Sequence, residues 1–142
     1  MQTVKQLVNS KAHRLLSIQP DKTVYDALKK MSEHDVGALI VLRDEKLVGI
    51  FSERDYARRI ILEGKTSKQT PVSDIMSTQV ICVSQDRTAD ECMALMTEKR
   101  VRHLPVIENN LVVALISIGD VVRELISDQK QTIEQLEQYI MT

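Results

Sequence analysis

Two serine–aspartate pairs of identical spacing are the residues of this chain best suited to chemistry. Ser52 precedes Asp55 by three positions, and Ser117 precedes Asp120 by three positions. A carboxylate at the start of a helix can accept two hydrogen bonds from vicinal hydroxyl groups of a ligand, and a nearby serine with the free helix amides can hold phosphate oxygens. The same residue types are also ordinary helix N-caps. The pairs by themselves therefore leave ligand binding and simple capping open.

The two pairs are part of an internal repeat. A shift of 65 residues carries Ser52 onto Ser117 and aligns residues 18–61 with residues 83–126 without a gap, with about a dozen identities. Self-similarity of this length indicates two copies of one supersecondary unit. Two such units can pair about a pseudo-twofold axis, and the clefts between them would then be natural ligand sites.

Each copy has the pattern of a strand, a helix, two strands and a second helix. The first helices are predicted to start after Thr23 and Thr88, because a carboxylate follows each threonine by three positions, as in a capping box. Ser52 and Ser117 close the last strands, and the second helices follow directly. The predicted strands are residues 15–18, 38–42 and 47–51 in the first copy and residues 80–83, 103–107 and 112–116 in the second.

This pattern predicts an α/β fold of two β-α-β-β-α repeats packed about a pseudo-twofold axis. A polar segment with one Gly and one Pro, residues 63–71, is the predicted linker. The predicted domains are residues 1–65 for the first repeat with its lead-in, residues 66–127 for the second repeat, and residues 128–142 for a carboxyl-terminal helical extension.

Composition argues against several classes of protein. A formal net charge of -1 disfavours a protein that grips nucleic acid, and three Tyr, one Phe and no Trp offer few stacking platforms for single strands. No apolar run reaches the roughly 18 to 20 residues of a membrane span, and the start lacks the apolar region of a signal peptide. The sequence lacks the common nucleotide-binding, metalloprotease and hydrolase motifs. We expect a cytoplasmic protein that is not an enzyme and has no membrane association.

Cysteine and histidine give no metal or catalytic pattern. Cys82 and Cys92 form no CxxC pair and occupy apolar positions of the pattern, so they are predicted to be reduced core thiols. His13 and His34 are predicted to be surface residues. No metal site is expected.

The end of each copy carries a resemblance to a known family. Residues 49–55 (GIFSERD) and residues 114–120 (ALISIGD), at the ends of two units with the same strand and helix order, resemble the cystathionine beta-synthase (CBS) domain family. Residues 100–106 are similar to that family's run into its second strand. Residues 72–76 resemble its lead-in, and residues 4–8 are a looser copy of that lead-in.

The resemblance implies a stand-alone pair of CBS repeats, called a Bateman module. Such modules bind adenosine-containing ligands in the clefts between repeats and act as energy or metabolite sensors. The expected ligand is AMP, ADP, ATP or NAD(H), with S-adenosylmethionine as a further candidate, and no catalytic cofactor is expected. The expected partners are this adenine nucleotide, a second copy in a homodimer and a downstream protein target that the sequence does not name.

The resemblance also carries site residues onto this chain. Asp55 with Ser52, and Asp120 with Ser117, are expected to contact ribose and phosphate. The adenine contacts are expected from Leu16, Val36, Gly37 and Leu115 in one cleft and from Ile81, Val101, Arg102 and Ile50 in the other. Positive charge for phosphate is expected from Lys11, Arg54, Arg102 and His103, since the planar fork of arginine matches phosphate oxygens. Arg54 aligns with Gly119 and Gly37 with Arg102, so the two clefts need not bind the same nucleotide equally well.

Two questions stay open at this stage. The first is whether the module binds ligand or is a scaffold for association whose clefts are vestigial. The second concerns the extension, where Ile133, Leu136 and Ile140 form an apolar stripe beyond the repeat. The stripe is predicted to cover either its own module or a second chain, because an isolated helix of this length is marginal in water.

Overall fold

The computed structural model describes residues 2–10 and 15–141, and the chain divides into two compact units. The first unit consists of residues 14–81 and 110–112, and the second unit of residues 1–13, 82–109 and 113–142. The elements in chain order are α1 (Val4–Ser10), β1 (Ser17–Ile18), α2 (Val24–His34), β2 (Ala38–Arg43), β3 (Lys46–Ser52), α3 (Glu53–Asp55), β4 (Val83–Ser84), α4 (Ala89–Lys99), β5 (His103–Glu108), β6 (Leu111–Ser117) and α5 (Ile118–Met141). The predicted mixed α/β class is confirmed, while the pseudo-twofold packing stays a prediction.

Each repeat builds a three-stranded sheet in the same way. The sheets have the orders β1-β2-β3 and β4-β5-β6. The opening strand is parallel to the next strand in both sheets, since β1 pairs with β2 and β4 pairs with β5 in parallel. β2 and β3 are antiparallel and form a hairpin. A helix between the first two strands supplies the crossover that a parallel pair requires.

Two-residue turns close both hairpins. Asp44 and Glu45 have positive φ angles of 51° and 66°, and Asn109 and Asn110 have positive φ angles of 52° and 65°. Two successive positive φ values define the type I′ turn, whose twist matches that of the flanking strands. The two turns therefore repeat in conformation as well as in position.

Capping boxes begin α2 and α4, as the sequence predicts. The Thr23 hydroxyl accepts a hydrogen bond from the Asp26 amide, and the Asp26 carboxylate accepts one from the Thr23 amide. Thr88 and Glu91 form the same two hydrogen bonds at α4. Each box satisfies amides that a helix start would otherwise leave unpaired.

One buried stripe on each of these helices faces the core. In the first unit this stripe packs against side chains of all three strands and of the segments that follow them. The buried cluster consists of Ile18, Val24, Ala27, Met31, Leu39, Val41, Phe51, Ile60, Val72 and Ile75. In the second unit the buried set includes Ala89, Cys92 and Met96 of α4, Leu104 and Val106 of β5, Ala114 and Ile116 of β6, and Val121 of α5. On each helix the buried residues recur at spacings of three and four positions, as expected for an amphipathic helix.

The opening strands are shorter than predicted. β1 and β4 contain two residues each, whereas residues 15–18 and 80–83 were expected to be strands. Before β1 the Leu16 carbonyl accepts a long hydrogen bond from the Ile40 amide, at 3.3 Å. Because Cys82 lies before β4, next to the inward-facing Val83, it falls on the outward side and is exposed. The prediction of a core thiol is therefore wrong for Cys82 and confirmed for Cys92.

The two lead-in segments exchange repeats. The amides of Val4 and Lys5, in α1, donate to the carbonyls of Arg87 and Gln85 at 2.7 and 2.9 Å. The corresponding lead-in at Val72–Asp74, a single 3₁₀ turn, donates from the Val72 and Ser73 amides to the carbonyls of Lys22 and Pro20 at 2.8 and 3.0 Å. Each lead-in thus belongs spatially to the repeat that it does not precede. The domain boundaries 1–65, 66–127 and 128–142 describe the order of the repeats along the sequence, and they stay a prediction.

The second helices differ between the repeats. In the first unit α3 is followed at once by a π-helical segment, Tyr56–Ile61. In the second unit α5 is one regular helix of 24 residues that runs through the polar stretch 127–131. Among the described helices, none combines the length and apolar character that crossing a bilayer requires.

Candidate functional site

The serine–aspartate pair of the first unit forms a capping box where β3 ends. The Ser52 amide and hydroxyl both donate to Asp55 Oδ2, at 3.0 and 3.1 Å. The Asp55 amide in turn donates to the Ser52 hydroxyl oxygen at 3.2 Å. The Glu53 amide donates to the Gly37 carbonyl at 3.1 Å, which fixes the helix start against the beginning of β2. Sequence reasoning left capping and ligand binding open, and the capping geometry is present.

A second hydrogen bond holds the other oxygen of the Asp55 carboxylate. Ser77, which is 22 residues away in sequence, donates its hydroxyl to Asp55 Oδ1 at 3.1 Å. Ser77 is held beside β3 by two backbone hydrogen bonds with Ile50, at 3.0 and 2.8 Å. Gly49 permits this approach, since a Cβ atom there would lie 2.8 Å from the Ser77 carbonyl oxygen and 2.7 Å from Met76 Sδ.

The second unit repeats the capping box with a different partner for the aspartate. The Ser117 amide donates to Asp120 Oδ2 at 2.9 Å, and the Asp120 amide donates to the Ser117 hydroxyl at 3.2 Å. The outer oxygen, Asp120 Oδ1, accepts a hydrogen bond from Arg123 Nη2 at 2.6 Å. Asp120 is only 8% exposed, whereas the Arg123 side chain that pairs with its carboxylate is 64% exposed. The second carboxylate oxygen therefore accepts from a serine hydroxyl in the first site and from an arginine in the second.

His103 and Arg102 bring further titratable and positive groups to the second site. His103 is half-buried at the start of β5, and its burial lowers the pKa of the imidazole. The Asp120 carboxylate raises that pKa and the Arg102 guanidinium lowers it, both by smaller amounts than burial. The Arg102 carbonyl accepts the first amide of α5, that of Ile118, at 2.8 Å. The backbone between β5 and α5 is therefore fixed as it is at Gly37 in the first unit.

These arrangements provide three kinds of ligand contact. Helix N-terminal amides with a serine hydroxyl can bind anionic oxygens. A carboxylate whose oxygens are already hydrogen-bonded can exchange a serine or arginine donor for a ligand hydroxyl. Arginine and partly buried histidine beside it can contact phosphate.

The remaining predicted contacts divide between the two units. In the first unit Leu16 and Val36 are half-buried and pack against the core cluster, Gly37 and Ile50 border the capping box, Ile81 is half-buried, and Arg54 is exposed. In the second unit Val101 and Leu115 are half-buried and Arg102 is exposed. Each predicted adenine site combines residues of both units and stays a prediction, and Lys11 and His13 lie outside the described residues.

Sequence reasoning missed Ser77 and Arg123 as members of the two sites. Arg123 follows Asp120 by three positions on one helix, so the pairing of neighbouring side chains could have revealed it. Ser77 has no such local signal, because only the folding of the chain brings it to Asp55. Among the described residues, no cluster of three or more His, Cys, Asp or Glu side chains could bind a metal ion.

Comparison with known proteins agrees with this architecture. The CBS domain family matches residues 4–62 and residues 72–127, which leaves the predicted linker between the two matches. An Arabidopsis thaliana protein named "CBS domain-containing protein CBSX3, mitochondrial" is 43% identical over 125 residues, covering 84% of this chain. The chain spans only 61% of that relative's length.

Two solved structures resemble the whole module. The CBS domain protein NE2398 is 48% identical, with a TM-score of 0.85 over 88% of this chain and 98% of that one. A proposed signal-transduction protein with CBS domains from Burkholderia ambifaria MC40-6 is 44% identical, with a TM-score of 0.86 over 90% of this chain and 96% of that one. With both repeats matched and these relatives covered almost completely, the chain belongs to the CBS-domain family and carries two CBS domains.

Proposed function

We propose that this protein is a non-catalytic regulatory module that binds an adenine nucleotide, namely AMP, ADP, ATP or NAD(H), with S-adenosylmethionine as a further candidate. The observation that carries the proposal is the repeated Ser-Asp capping box at the start of α3 and of α5. In its general form, a regulatory role agrees with the signal-transduction description of the Burkholderia relative.

Burial separates these two boxes from the other capping boxes of the molecule. The carboxylates of Asp26 and Glu91 cap α2 and α4 and are exposed. Asp55 is half-buried and Asp120 is buried. Placing a carboxylate in a partly apolar surrounding costs free energy that a surface cap avoids. The extra burial therefore supports a role for Asp55 and Asp120 beyond capping.

The chemistry of the two sites suits a nucleoside with phosphate groups. Vicinal ribose hydroxyls can donate to a carboxylate that already accepts from Ser77 or Arg123. Phosphate oxygens can accept from the helix amides and from a nearby Ser52 or Ser117 hydroxyl. In the second site the positive charge of Arg102 and the imidazole of His103 add to the attraction.

Ligand binding can be tested by thermal denaturation with AMP, ADP, ATP, NAD, NADH and S-adenosylmethionine. A ligand that binds only the folded state stabilises it by about 2.7 kcal/mol at a hundredfold excess over Kd. We expect a dose-dependent rise in melting temperature with at least one of the six. Native mass spectrometry of freshly purified protein provides an independent readout, because a co-purified nucleotide reveals its mass. Unchanged melting curves with all six compounds would count against the proposal.

The competing function is a scaffold for association whose nucleotide sites are vestigial. It makes a different prediction, namely a normal oligomer that binds none of the six compounds. Retention of both the serine and the aspartate in two separate repeats favours a binding site over a vestige. The homodimer and the unnamed downstream target expected from sequence remain part of the proposal in either case.

A cytoplasmic location is also proposed rather than established. The Arabidopsis relative is mitochondrial by name, so membership of the family does not by itself give the location of this chain. Fractionation of source cells with an antibody to the chain would decide its location.

A further inference from the structure

The second half of α5 is an exposed helix with an apolar face. Within the described residues, every side chain from position 129 to position 141 is exposed. Ile133, Leu136 and Ile140 are 56%, 57% and 80% exposed, although all three are aliphatic. The stripe therefore does not fold back onto its own module. Most helical stability in proteins comes from burying an apolar helix face, so we expect this exposed face to have a partner.

The apolar positions of α5 follow a heptad repeat. Ile126, Ile133 and Ile140 are seven residues apart and define one seam position, called a. Val122, Gln129 and Leu136 are seven residues apart and define the other seam position, called d. A spacing that alternates between four and three residues has a mean of 3.5, which is the period of two supercoiled helices rather than of a helix against a globular core.

The composition of the seam fits a second copy of the same helix. Ile at each a position with Leu at a d position favours a parallel coiled coil of two helices. In a parallel pair each residue meets its own copy, so the Gln129 amide can hydrogen-bond with the Gln129 amide of the second chain. An antiparallel pair would bury the Gln129 amide against an aliphatic side chain, which costs free energy. A polar residue at one layer also fixes the register of the pair.

Charges beside the seam are compatible with this parallel pairing. The neighbouring e and g positions would bring Lys130 close to Leu125 of the second copy and Glu137 close to Thr132, so no like charges meet. The opposite face of the helix carries polar residues, among them Asp128, Gln131, Glu134, Gln135 and Gln138. From the exposed fractions of the seam side chains, pairing would bury on the order of 1,000 Å² in total, near the lower bound of stable interfaces.

We propose that two copies of this protein form a homodimer through a parallel coiled coil of α5 over residues 122–140. Most of this interface lies beyond residue 127, where the second CBS match ends, and it contains neither serine–aspartate pair, so it does not require nucleotide to bind. The small area predicts a reversible dimer that dissociates on dilution rather than an obligate one.

Light scattering on the full chain tests the proposal. At high micromolar concentration the wild type is expected at twice the chain mass of 16.2 kDa. The double variant Ile133→Glu/Leu136→Glu is expected at the single-chain mass, because it places like charges in two seam layers. The matched variant Gln131→Glu/Gln138→Glu changes the same number of charges on the opposite face and is expected to remain dimeric. A monomeric wild type, or a dimeric seam variant, overturns the proposal.

Disulfide trapping tests the parallel register. In a Cys82→Ser background, which removes the exposed native thiol, Gln129→Cys is expected to form a covalent dimer under mild oxidation. Gln131→Cys, on the far face, is expected to remain largely uncoupled. A protein that is dimeric by light scattering but gives no cross-link at position 129 overturns the parallel pairing. Thermal shift with nucleotides on the Ile133→Glu/Leu136→Glu variant reports on ligand binding separately, so the two proposals can fail independently.

Discussion

At the residue scale, the Asp55 and Asp120 carboxylates combine a helix cap with a second hydrogen bond to a residue outside the box. Asp55 uses Ser77 and Asp120 uses Arg123 for that second contact. The cap could be predicted because it depends on two residues three positions apart at the end of a strand. The second contacts could not all be predicted, since Ser77 reaches Asp55 only through the path of the chain between the repeats.

The first prediction separates ligand binding from capping in the first unit. Asp55→Ala is expected to weaken nucleotide binding about 10- to 100-fold, because it removes charge-assisted hydrogen bonds worth roughly 1.5 to 3 kcal/mol. Asp26→Ala removes the same residue type from the exposed capping box of α2 and should cost only stability, about 1 kcal/mol or less. Calorimetric titration and urea denaturation of both variants provide the comparison. Equal nucleotide affinity in the two variants would show that Asp55 only caps the helix and does not bind the ligand.

The second prediction concerns the stability of the protein below neutral pH. Burial lowers the pKa of His103 from an ordinary value of 6.5, so the unfolded chain binds this proton more readily than the folded one. The contribution of His103 to the free energy of unfolding is fully present above about pH 6.5. It decreases as the pH falls from there towards the lower pKa of the folded state. Denaturation in urea between pH 7.5 and 5.5 should show this loss in the wild type. The loss should be smaller in His103→Gln and unchanged in His34→Gln, which alters an exposed histidine.

At the element scale, the repeat alone predicted most of the architecture. The helices, their caps and the two hairpins follow local rules of period and turn chemistry, and they appear at the expected positions. Three features were not predicted: the short opening strands, the π-helical segment after Asp55, and the exchange of lead-ins between repeats, which depends on hydrogen bonds between residues far apart in sequence. The polar stretch 127–131 lies within α5, since polar residues at exposed positions do not end a helix.

The third prediction tests the close approach of backbone at Gly49. A methyl group there would meet the Ser77 carbonyl oxygen and Met76 Sδ at less than 3 Å, so Gly49→Ala must displace the segment that pairs with β3. We expect a loss of roughly 1 to 3 kcal/mol of unfolding free energy and weaker nucleotide binding in the first site. Gly119→Ala is the control, because its methyl group would lie 3.4 Å or more from its nearest neighbour, the mobile end of Arg123. Equal stability of the two variants in urea denaturation would contradict the steric account.

At the scale of the whole molecule, duplication has produced two sites that are similar but not equal. The serine, the aspartate and the helix start are common to both repeats. The positions around them differ, since Arg54 aligns with Gly119 and Gly37 with Arg102. The second site has Arg102 and the half-buried His103 where the first has Gly37 and Ala38, and its Asp120 accepts a hydrogen bond from Arg123. We therefore expect the two sites to bind a given nucleotide with different affinities.

Calorimetric titration of the wild type and of the double variant Asp55→Ala/Asp120→Ala with the nucleotide selected by the thermal screen tests the central claim most directly. The account predicts saturable binding to the wild type with up to two ligands per chain, and loss of this binding in a double variant that circular dichroism shows to be folded. A double variant that binds as tightly as the wild type would contradict the account. So would a wild type that releases no measurable heat with any of the six compounds and leaves them unbound in equilibrium dialysis.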